Sequence, residues 1–391
     1  MTRTTLQPTA LVNDWDTAYR RRQDALRRQL DPIGIDALIV TRDCDIRYFT
    51  GFCGHDSLLV IRGGGAACIS DSRYDEALDS LRDSGVAEVV IGVRHRLHES
   101  LPALLQRHRL RRIGIQADHL PVARKAVFES HLRGAQLVDT EGLVGSLRMR
   151  KDALEIDAIA RAISVNEAAL EAALPQMFEG MTERDLGALI EYEMKKRGAT
   201  APSFLPIIAT GAHGSLPHYE TGDAEIENNS TLLVDWGATV NSYQSDLTRT
   251  FGIGSIPARI REVYRIVLDA QLAAIHAIRP GKVCAEIDAV AREVITRAGY
   301  GEQFQHGLGH GLGLETHEPP YFNNLQTDVV LEPGIVMTVE PGVYLPGVGG
   351  VRIEDDIVVT DKGCRVLSSF RKNIDSAVVP VLRGLRQGNA T

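Results

Sequence analysis

The feature that most constrains this chain is a set of carboxylates that end or interrupt strongly apolar, β-branched runs. Glu340 ends the run I-V-M-T-V-E, and Glu354 interrupts the run V-R-I-E-D-D-I-V-V. Asp235 follows T-L-L-V, and Asp246 precedes L-T-R-T-F beyond a turn that we predict over residues 238–242. Such runs are typical of buried strands, where an ionised carboxylate is costly unless a positive charge lies beside it. The pattern therefore predicts that the four acids share one buried site with bound cations.

Three histidines lie in a glycine-rich stretch of the same half of the chain. They are His306, His310 and His317, in Q-H-G-L-G-H-G-L-G-L-E-T-H. Glycine has no side chain, so the backbone of such a stretch can come close to a ligand. Imidazole nitrogen is a common metal ligand, and we therefore expect His310 to join the acids.

The charges of these side chains decide what they do together. Four ionised carboxylates in one cleft carry about −4, which requires raised pKa values or bound cations. Two divalent ions neutralise that charge, and acids that bridge them hold the ions about 3.5–4 Å apart with a hydroxide between them. Mixed oxygen and imidazole ligation suits manganese, cobalt, iron or zinc better than magnesium or calcium. We expect two divalent ions per chain, and these ligand types leave manganese, cobalt, zinc and iron open.

Composition and charge exclude several classes of protein. The chain has 391 residues, of which 44% are hydrophobic, enough for two domains with sizeable cores. A formal net charge of −8 argues against a nucleic-acid partner, because phosphate binding requires a basic face. No apolar run reaches the roughly 18 residues of a membrane span, and the opening residues lack the regions of a secretory signal. The five cysteines show no C-x-x-C spacing, which favours a reducing cytoplasm.

The chain divides into two regions that differ in their predicted pattern of helices and strands. The first alternates helical stretches with short strands, beginning with a helix over 15–30, a strand over 35–41 and a hairpin over 58–71. This alternation predicts a smaller α/β domain over residues 1–147. Longer helices and the acid-bearing strands follow, and we assign residues 148–391 to a second, catalytic domain.

Six segments of the second region together have the pattern of a known family. They are P-H-Y (217–219), V-D-W-G-A (234–238), Y-Q-S-D-L-T-R-T-F (243–251), G-L-G-H-G-L-G-L-E-T-H-E (307–318), T-V-E-P-G-V-Y (338–344) and V-R-I-E-D (351–355). They resemble the pita-bread metallopeptidases, which include methionine aminopeptidase, Xaa-Pro aminopeptidase and prolidase. The first region is similar to the N-terminal domain of the prolidase and creatinase branch, through D-I-R-Y-F-T-G-F (45–52) and S-D-S-R-Y-D-E-A (70–77). The resemblance implies a creatinase-type α/β domain followed by a pita-bread domain, a curved antiparallel sheet flanked by helices.

The resemblance implies a metal-binding role for five residues. Asp235 is expected to hold one ion, and His310 with Glu340 the other. Asp246 and Glu354 are expected to bridge the two ions. Glu340 is also expected to be catalytic, taking the proton of the nucleophile and returning it to the leaving nitrogen. Metal-free relatives such as creatinase lose the metal-binding acids, and here all of them are present.

Four further residues acquire roles from the resemblance. His218 and His317 are expected to face the substrate, with His218 as a wall of a proline pocket and His317 stabilising the oxyanion. Arg352 is expected to support the bridging carboxylates from behind, and His306 to line the pocket or orient its neighbours. The chain departs from the family pattern at two positions, His213 for the usual Asn and Trp236 for the usual Phe or Tyr.

The predicted function is hydrolysis of the peptide bond before proline, by a dipeptidase or an aminopeptidase that uses the metal-bridging hydroxide. The substrate is then a small peptide with proline at its second position, whose tertiary amide carries no N–H. One alternative is a metal-dependent hydrolase of a non-peptide C–N bond in a small metabolite, as in the creatinase class. Another is a non-catalytic binding protein on the same fold. The resemblance also implies a homodimer.

Overall fold

The computed structural model describes residues 15–380 of the chain. The opening segment, in which the sequence analysis finds no secretory signal, lies outside the described residues, as do residues 381–391. The chain divides into two compact units, one ending at Arg148 (unit 1) and one beginning at Met149 (unit 2). Within residues 15–380, no helix is both long and apolar enough to cross a membrane.

Unit 1 is built on one six-stranded mixed sheet with helices around it. Its strands are β1 (Ala37–Val40), β2 (Leu58–Arg62), β3 (Gly65–Asp71), β4 (Glu88–Gly92), β5 (Arg112–Gln116) and β6 (Gln136–Thr140). Its helices are α1 (Trp15–Leu30), α2 (Asp43–Thr50), α3 (Asp79–Ser84), α4 (Leu101–His108), α5 (Val122–His131) and α6 (Leu143–Arg148). The strand order is β4-β3-β2-β1-β5-β6. The β1–β2 and β2–β3 pairs are antiparallel, and the β3–β4, β1–β5 and β5–β6 pairs are parallel.

The sequence predicts the first half of unit 1 better than its second half. The helix over 15–30 is confirmed, and the predicted first strand and hairpin appear as β1, β2 and β3. Helix α5 and strand β6 are absent from the sequence analysis. Helix α5 buries only Phe128, so its sequence lacks the apolar periodicity that identifies an amphipathic helix.

Unit 2 contains two main sheets and four long helices. The helices are α7 (Ala153–Ala173), α8 (Glu183–Lys196), α9 (Ala258–Ala277) and α10 (Cys284–Arg297). The strands are β7 (Ala201–Pro202), β8 (Ile207–Thr210), β9 (Ser230–Trp236), β10 (Ala238–Thr239), β11 (Leu247–Ile253), β12 (Gly309–Gly311), β13 (Glu318–Phe322), β14 (Val336–Val339), β15 (Gly342–Leu345), β16 (Gly349–Arg352), β17 (Asp355–Val359), β18 (Cys364–Val366) and β19 (Val378–Val379). The main sheets have the orders β19-β11-β9-β8 and β13-β12-β14-β17-β18, and short pairs join β7 to β10 and β15 to β16.

Helices α9 and α10 cover the five-stranded sheet and close its core. Tyr264 and Val267 of α9 and Ile287 of α10 belong to one buried cluster with Met337 of β14 and Ile357 of β17. Full burial of an aliphatic or aromatic side chain contributes roughly 1.5–3 kcal/mol, so this cluster stabilises the strands that carry the acids.

The β9–β11 pair brings the first two acids to one region. Asp235 of β9 lies opposite Thr248 of β11, and Asp246 is the residue immediately before β11. The chain reverses at Asn241 and Ser242, whose φ angles of 50° and 67° lie in the left-handed region. The predicted turn between the two acids is confirmed.

The β14–β17 pair does the same for the other two acids. Val339 lies opposite Asp355, so Glu340 follows one strand and Glu354 precedes its partner at the same end of the pair. The backbone N–H of Glu354 donates to the carbonyl of Thr248 at 3.1 Å, which links this pair to the β9–β11 pair.

A buried ion pair lies behind the acidic segments. The side chains of Arg249 and Asp355 are 1% and 2% exposed, and their Nη2 and Oδ1 atoms are 2.8 Å apart. Gln271 and Lys372 also donate to Asp355, and Arg249 donates to the Phe370 carbonyl at 2.7 Å. Burial alone would raise the pKa of Asp355, but Arg249 and Lys372 lower it, so the carboxylate stays charged. The pair therefore fixes β11 to β17.

We expect Asp355→Ala to lower the free energy of unfolding of unit 2 by about 3–5 kcal/mol, because Arg249 stays buried without its carboxylate. Denaturant titration followed by circular dichroism measures this change. Asp361→Ala removes an exposed acid from the next turn and is the control, with an expected effect below about 0.5 kcal/mol. Equal effects of the two substitutions would contradict the structural role of the pair.

Candidate metal centre

The acids of unit 2 and one histidine converge on a single point. Nε2 of His310 lies 3.6 Å from Oδ2 of Asp246 and 3.4 Å from Oε1 of Glu340. Three overlapping groups have ligand atoms within 4.8 Å of one another: Asp235, Asp246 and Glu354; His310, Glu340 and Glu354; Asp246, His310 and His317. The structure thus brings together the five residues that the sequence analysis assigns to metal binding.

The cluster lines a cleft of about 440 Å³. Apolar and aromatic groups supply much of the lining, from Phe204, Leu205, Ile207, Pro217 and Tyr321. Histidines 218, 306 and 317 line the same cleft. A concave site of this size with a few convergent polar groups is typical of a small-molecule or peptide site.

Burial and mutual repulsion shift the pKa values of the acids upwards. Burial and the neighbouring Glu354 raise the pKa of Asp246 well above its ordinary value. Burial and Glu340 raise the pKa of Glu354 in the same way. Burial raises the pKa of Glu340 to about 8, although Arg352 opposes the shift. By themselves, these acids cannot all stay ionised at neutral pH.

Within residues 15–380, one buried oxygen of the cluster lacks a hydrogen-bond partner, and one imidazole nitrogen faces the acids. Oδ2 of Asp235 accepts from Nη2 of Arg352 at 2.6 Å, whereas its buried Oδ1 has no hydrogen-bond partner among the described residues. Nδ1 of His310 donates to the Gly311 carbonyl at 3.1 Å, so Nε2 presents a lone pair to the acids. Burial lowers the pKa of His310 to about 3, which keeps the ring neutral. Carboxylate oxygens and a neutral imidazole directed at one point fit divalent metal ions.

Arg352 supports the cluster along two routes. Its guanidinium binds Asp235 directly, and its Nε donates to Oγ1 of Thr248 at 3.0 Å. That hydroxyl in turn donates to Oε2 of Glu354 at 2.7 Å. The family resemblance implies that Arg352 supports the bridging carboxylates. In the structure its direct carboxylate contact is with Asp235, and it reaches Glu354 only through the hydroxyl of Thr248.

Sequence reasoning misses two threonines that hold the candidate ligands. Oγ1 of Thr338 accepts from the backbone N–H of His310 at 3.0 Å and donates to Glu340 at 3.3 Å. Thr248 binds Glu354 as described above. Thr248 comes two residues after Asp246, and Thr338 two residues before Glu340, on the same faces of their strands. The two-residue repeat of a strand is therefore the signal that could have identified them.

His306 lines the cleft and also bonds to a neighbouring side chain, Tyr344. Its Nδ1 donates to the Gly307 carbonyl at 2.8 Å, and its Nε2 accepts from the Tyr344 hydroxyl at 2.8 Å. Burial and the charge of Arg352 lower the pKa of His306 to about 4, so the ring is neutral. Tyr344 also accepts from Arg352 at 3.0 Å, which makes it another residue that sequence reasoning misses.

His218 and His317 are exposed residues on the wall of the cleft. The ring centroids of His317 and His310 are 4.2 Å apart, which brings His317 within reach of a metal ion as well as of a substrate. The residue after His317, Glu318, forms a buried ion pair with Lys151 at 2.7 Å. This pair fixes the backbone that presents His317.

The glycines beside His310 were expected to let the backbone approach a ligand, but the structure gives a different reason for them. A Cβ atom on Gly309 would lie 2.2 Å from the Thr338 carbonyl oxygen, and one on Gly311 would lie 2.4 Å from that of Glu318. Neighbouring strands of the sheet, rather than a ligand, therefore require these glycines. Their close packing fixes the position of His310.

Trp236, one of the two departures from the family pattern, anchors the strand that bears Asp235. Its indole N–H donates to the Asn166 carbonyl at 2.9 Å, and Nδ2 of Asn166 returns a bond to the Trp236 carbonyl at 2.9 Å. The tryptophan side chain is 0% exposed. These two hydrogen bonds join helix α7 to strand β9 beside the cluster.

Within residues 15–148, unit 1 also contains one group with metal-ligand chemistry, His98, Glu99 and His131. Glu99 is paired with Arg96 at 3.2 Å, and Nδ1 of His131 already bonds to the Val127 carbonyl of its own helix. The group therefore has none of the unbalanced negative charge found in the cleft of unit 2.

Several proteins are similar to this chain along almost its whole length. An Xaa-Pro dipeptidase from Bacillus anthracis has a TM-score of 0.86 and 34% identity, covering 94% of this chain and 100% of its own. An X-Pro aminopeptidase from Thermotoga maritima has a TM-score of 0.84 and 33% identity, covering 90% and 100%. The Xaa-Pro dipeptidase of Pyrococcus furiosus is 33% identical over 91% of this chain and 99% of its own. These similarities confirm the predicted two-domain α/β fold.

Family models match both parts of the chain. The model of the creatinase/prolidase N-terminal domain matches residues 22–150, and that of metallopeptidase family M24 matches residues 157–361, more than half of the chain. The resemblance inferred from the sequence motifs is confirmed. This chain is a hydrolase that belongs to metallopeptidase family M24 and carries a creatinase/prolidase N-terminal domain.

Proposed function

We propose that this chain hydrolyses the peptide bond before proline in small peptides, with two divalent metal ions in the cleft of unit 2. The convergence of four buried carboxylates and a neutral imidazole on one point carries the proposal. Similarity to Xaa-Pro peptidases over almost the whole chain supports the choice of substrate.

The proposed ligand set divides into two terminal parts and a shared part. Asp235 belongs to one ion, and His310 with Glu340 belongs to the other. Asp246 and Glu354 are proposed to bridge them, because each belongs to ligand groups that extend towards both ends of the cluster. Manganese is the proposed ion, since the set combines several carboxylates with one imidazole.

The residues of the chain divide the catalytic work. Divalent ions bound here would polarise the scissile carbonyl and acidify a water molecule. Glu340, whose Oε1 lies 3.4 Å from Nε2 of His310 in the cluster, is proposed to accept the proton of that water and return it to the leaving nitrogen. His317 is proposed to stabilise the developing oxyanion from the wall of the cleft.

Selection of proline is assigned to the apolar part of the cleft together with His218. A proline ring needs no hydrogen-bond partner at its nitrogen, which has no N–H when it is part of a peptide bond. Phe204, Ile207 and Tyr321 line the cleft with His218 and offer surface that fits such a ring. Dipeptides and longer peptides with proline at the second position are both candidate substrates, and both classes need to be assayed.

A homodimer and a cytoplasmic location complete the proposal. All five cysteines lie within residues 15–380 and none forms a disulfide bond, which suits a reducing compartment. Leu205 lines the cleft and is 84% exposed, a position that a second chain could cover. Analytical ultracentrifugation tests this expectation, because a homodimer has twice the mass of one chain.

We expect Asp246→Ala or Glu354→Ala to lower kcat/KM by at least about a thousandfold, because the loss of the activated water costs several kcal/mol of barrier. Metal analysis of the same samples should give fewer than two ions per chain. Asp361→Ala, which removes an exposed acid, should retain both metal content and activity. Full metal content in both cluster variants would refute the ligand assignment.

His317→Ala separates catalysis from metal binding. If His317 stabilises the oxyanion, its removal should lower kcat by about 10²–10³-fold and leave the metal content unchanged. Steady-state kinetics with plasma emission spectroscopy measures both quantities. Loss of an ion in this variant would instead identify His317 as a ligand.

A substrate panel tests the proposed specificity. Xaa-Pro dipeptides and Xaa-Pro-Yaa tripeptides should be cleaved before proline, and matched Xaa-Ala peptides should be cleaved at least about tenfold more slowly. The ratio of the two proline series distinguishes a dipeptidase from an aminopeptidase. Turnover that persists in fully chelated enzyme, or equal rates on Xaa-Ala peptides, would refute the proposal.

A further inference from the structure

Glu183 is a fully buried acid outside the metal cluster, and four donors surround its carboxylate. It is the first residue of α8 and is 0% exposed. Oε1 accepts from the backbone N–H of Thr210 at 2.8 Å and from Nδ1 of His213 at 2.9 Å. Oε2 accepts from the Tyr219 hydroxyl at 2.8 Å and from the backbone N–H of Gly222 at 3.1 Å. Hydrogen bonds to an ionised carboxylate are roughly twice as strong as neutral ones.

These four donors lie on both sides of His218 in the chain. Thr210 and His213 precede it, and Tyr219 and Gly222 follow it. The rings of His213 and Tyr219 stack on each other with centroids 4.6 Å apart and planes 22° apart. One carboxylate therefore fixes the beginning, the middle and the end of the segment that places His218 on the wall of the cleft.

The opposite side of the same segment packs against β16. A Cβ atom on Gly350 would lie 1.9 Å from the Gly214 carbonyl oxygen, so the two backbones are in close contact. Nη1 of Arg352 donates to the Pro217 carbonyl at 3.4 Å. The segment is thus held between Glu183 of α8 and the strand that ends at Arg352.

We propose that Glu183 is a positioning residue for His218, acting through His213, Tyr219 and the backbone of residues 210–222. Glu183 lies outside the residues that line the cleft, so its effect on catalysis passes through the segment. The inference rests on the proposed function, because His218 is assigned there to the substrate wall. It also gives a role to His213, which departs from the family pattern. An imidazole N–H there supplies the donor that Oε1 of Glu183 needs, as the amide of asparagine can.

A double-mutant cycle tests the proposal. Glu183→Gln should lower kcat/KM for an Xaa-Pro dipeptide about tenfold, because an amide cannot accept from all four donors. Metal content should stay at the wild-type level. In a His218→Ala background, the same substitution should lower kcat/KM by less than about twofold, since the residue that it positions is gone.

His213 provides a second test that leaves the buried Glu183 carboxylate in place. The side chain of His213 is 41% exposed, so its substitution spares the core. His213→Ala should lower kcat/KM, and His213→Asn should restore most of the loss because it keeps a side-chain donor. Equal activities of the alanine and asparagine variants would overturn the role of the donor.

Glu193→Gln is the matched control. Glu193 is a buried acid of the same helix, 4% exposed, but its carboxylate pairs with Arg197 and Lys196 instead of the His218 segment. Its substitution should have equal effects on kcat/KM with and without His218. Equal effects of Glu183→Gln in the two backgrounds would overturn the positioning role. A wild-type enzyme that is inactive on Xaa-Pro peptides would refute the proposed function instead.

Discussion

Repulsion between buried carboxylates is the constraint on which the organisation of unit 2 depends. Asp235, Asp246, Glu340 and Glu354 meet in one cleft, and burial raises the pKa of all four. Repulsion from neighbouring carboxylates raises the pKa values of Asp246, Glu340 and Glu354 further. Among the described residues that line this cleft, Arg352 is the one guanidinium or ammonium group. A single positive charge balances only one of the four acids. Divalent ions turn the repulsion into attraction, and the unpaired Oδ1 of Asp235 indicates where such an ion is needed.

A fold that gathers like charges must hold them against that repulsion, and antiparallel strand pairs do this here. Each pair places two acids at one of its ends, in or directly beside its two strands. Hydroxyl groups and buried ion pairs then fix the side chains and strands, as Thr248 does for Glu354 and Arg249 for Asp355. The side chains of the candidate ligands are therefore fixed by their own strands and by hydrogen bonds from neighbouring residues. Glu183 extends the same principle to His218, on the substrate side of the cleft.

The parts of this site that the sequence predicts are those with a local signal. A carboxylate at the end of an apolar run marks its own strand, and a turn such as that at Asn241 brings two such strands together. Partners that are distant in sequence and chemically ordinary carry no such signal. Glu183 looks like a typical acidic residue in the first turn of a helix, and only the folded chain brings Tyr219 to it. Helix α5 carries no local signal for a related reason, since its short buried face leaves no periodic pattern in the sequence.

Anomalous diffraction tests the central claim most directly. Crystals grown with Mn²⁺ would be measured on both sides of the manganese absorption edge. The account predicts two anomalous peaks about 3.5–4 Å apart, with carboxylate oxygens of Asp246 and Glu354 lying between them. A single peak, or peaks that neither of these acids contacts, would contradict it.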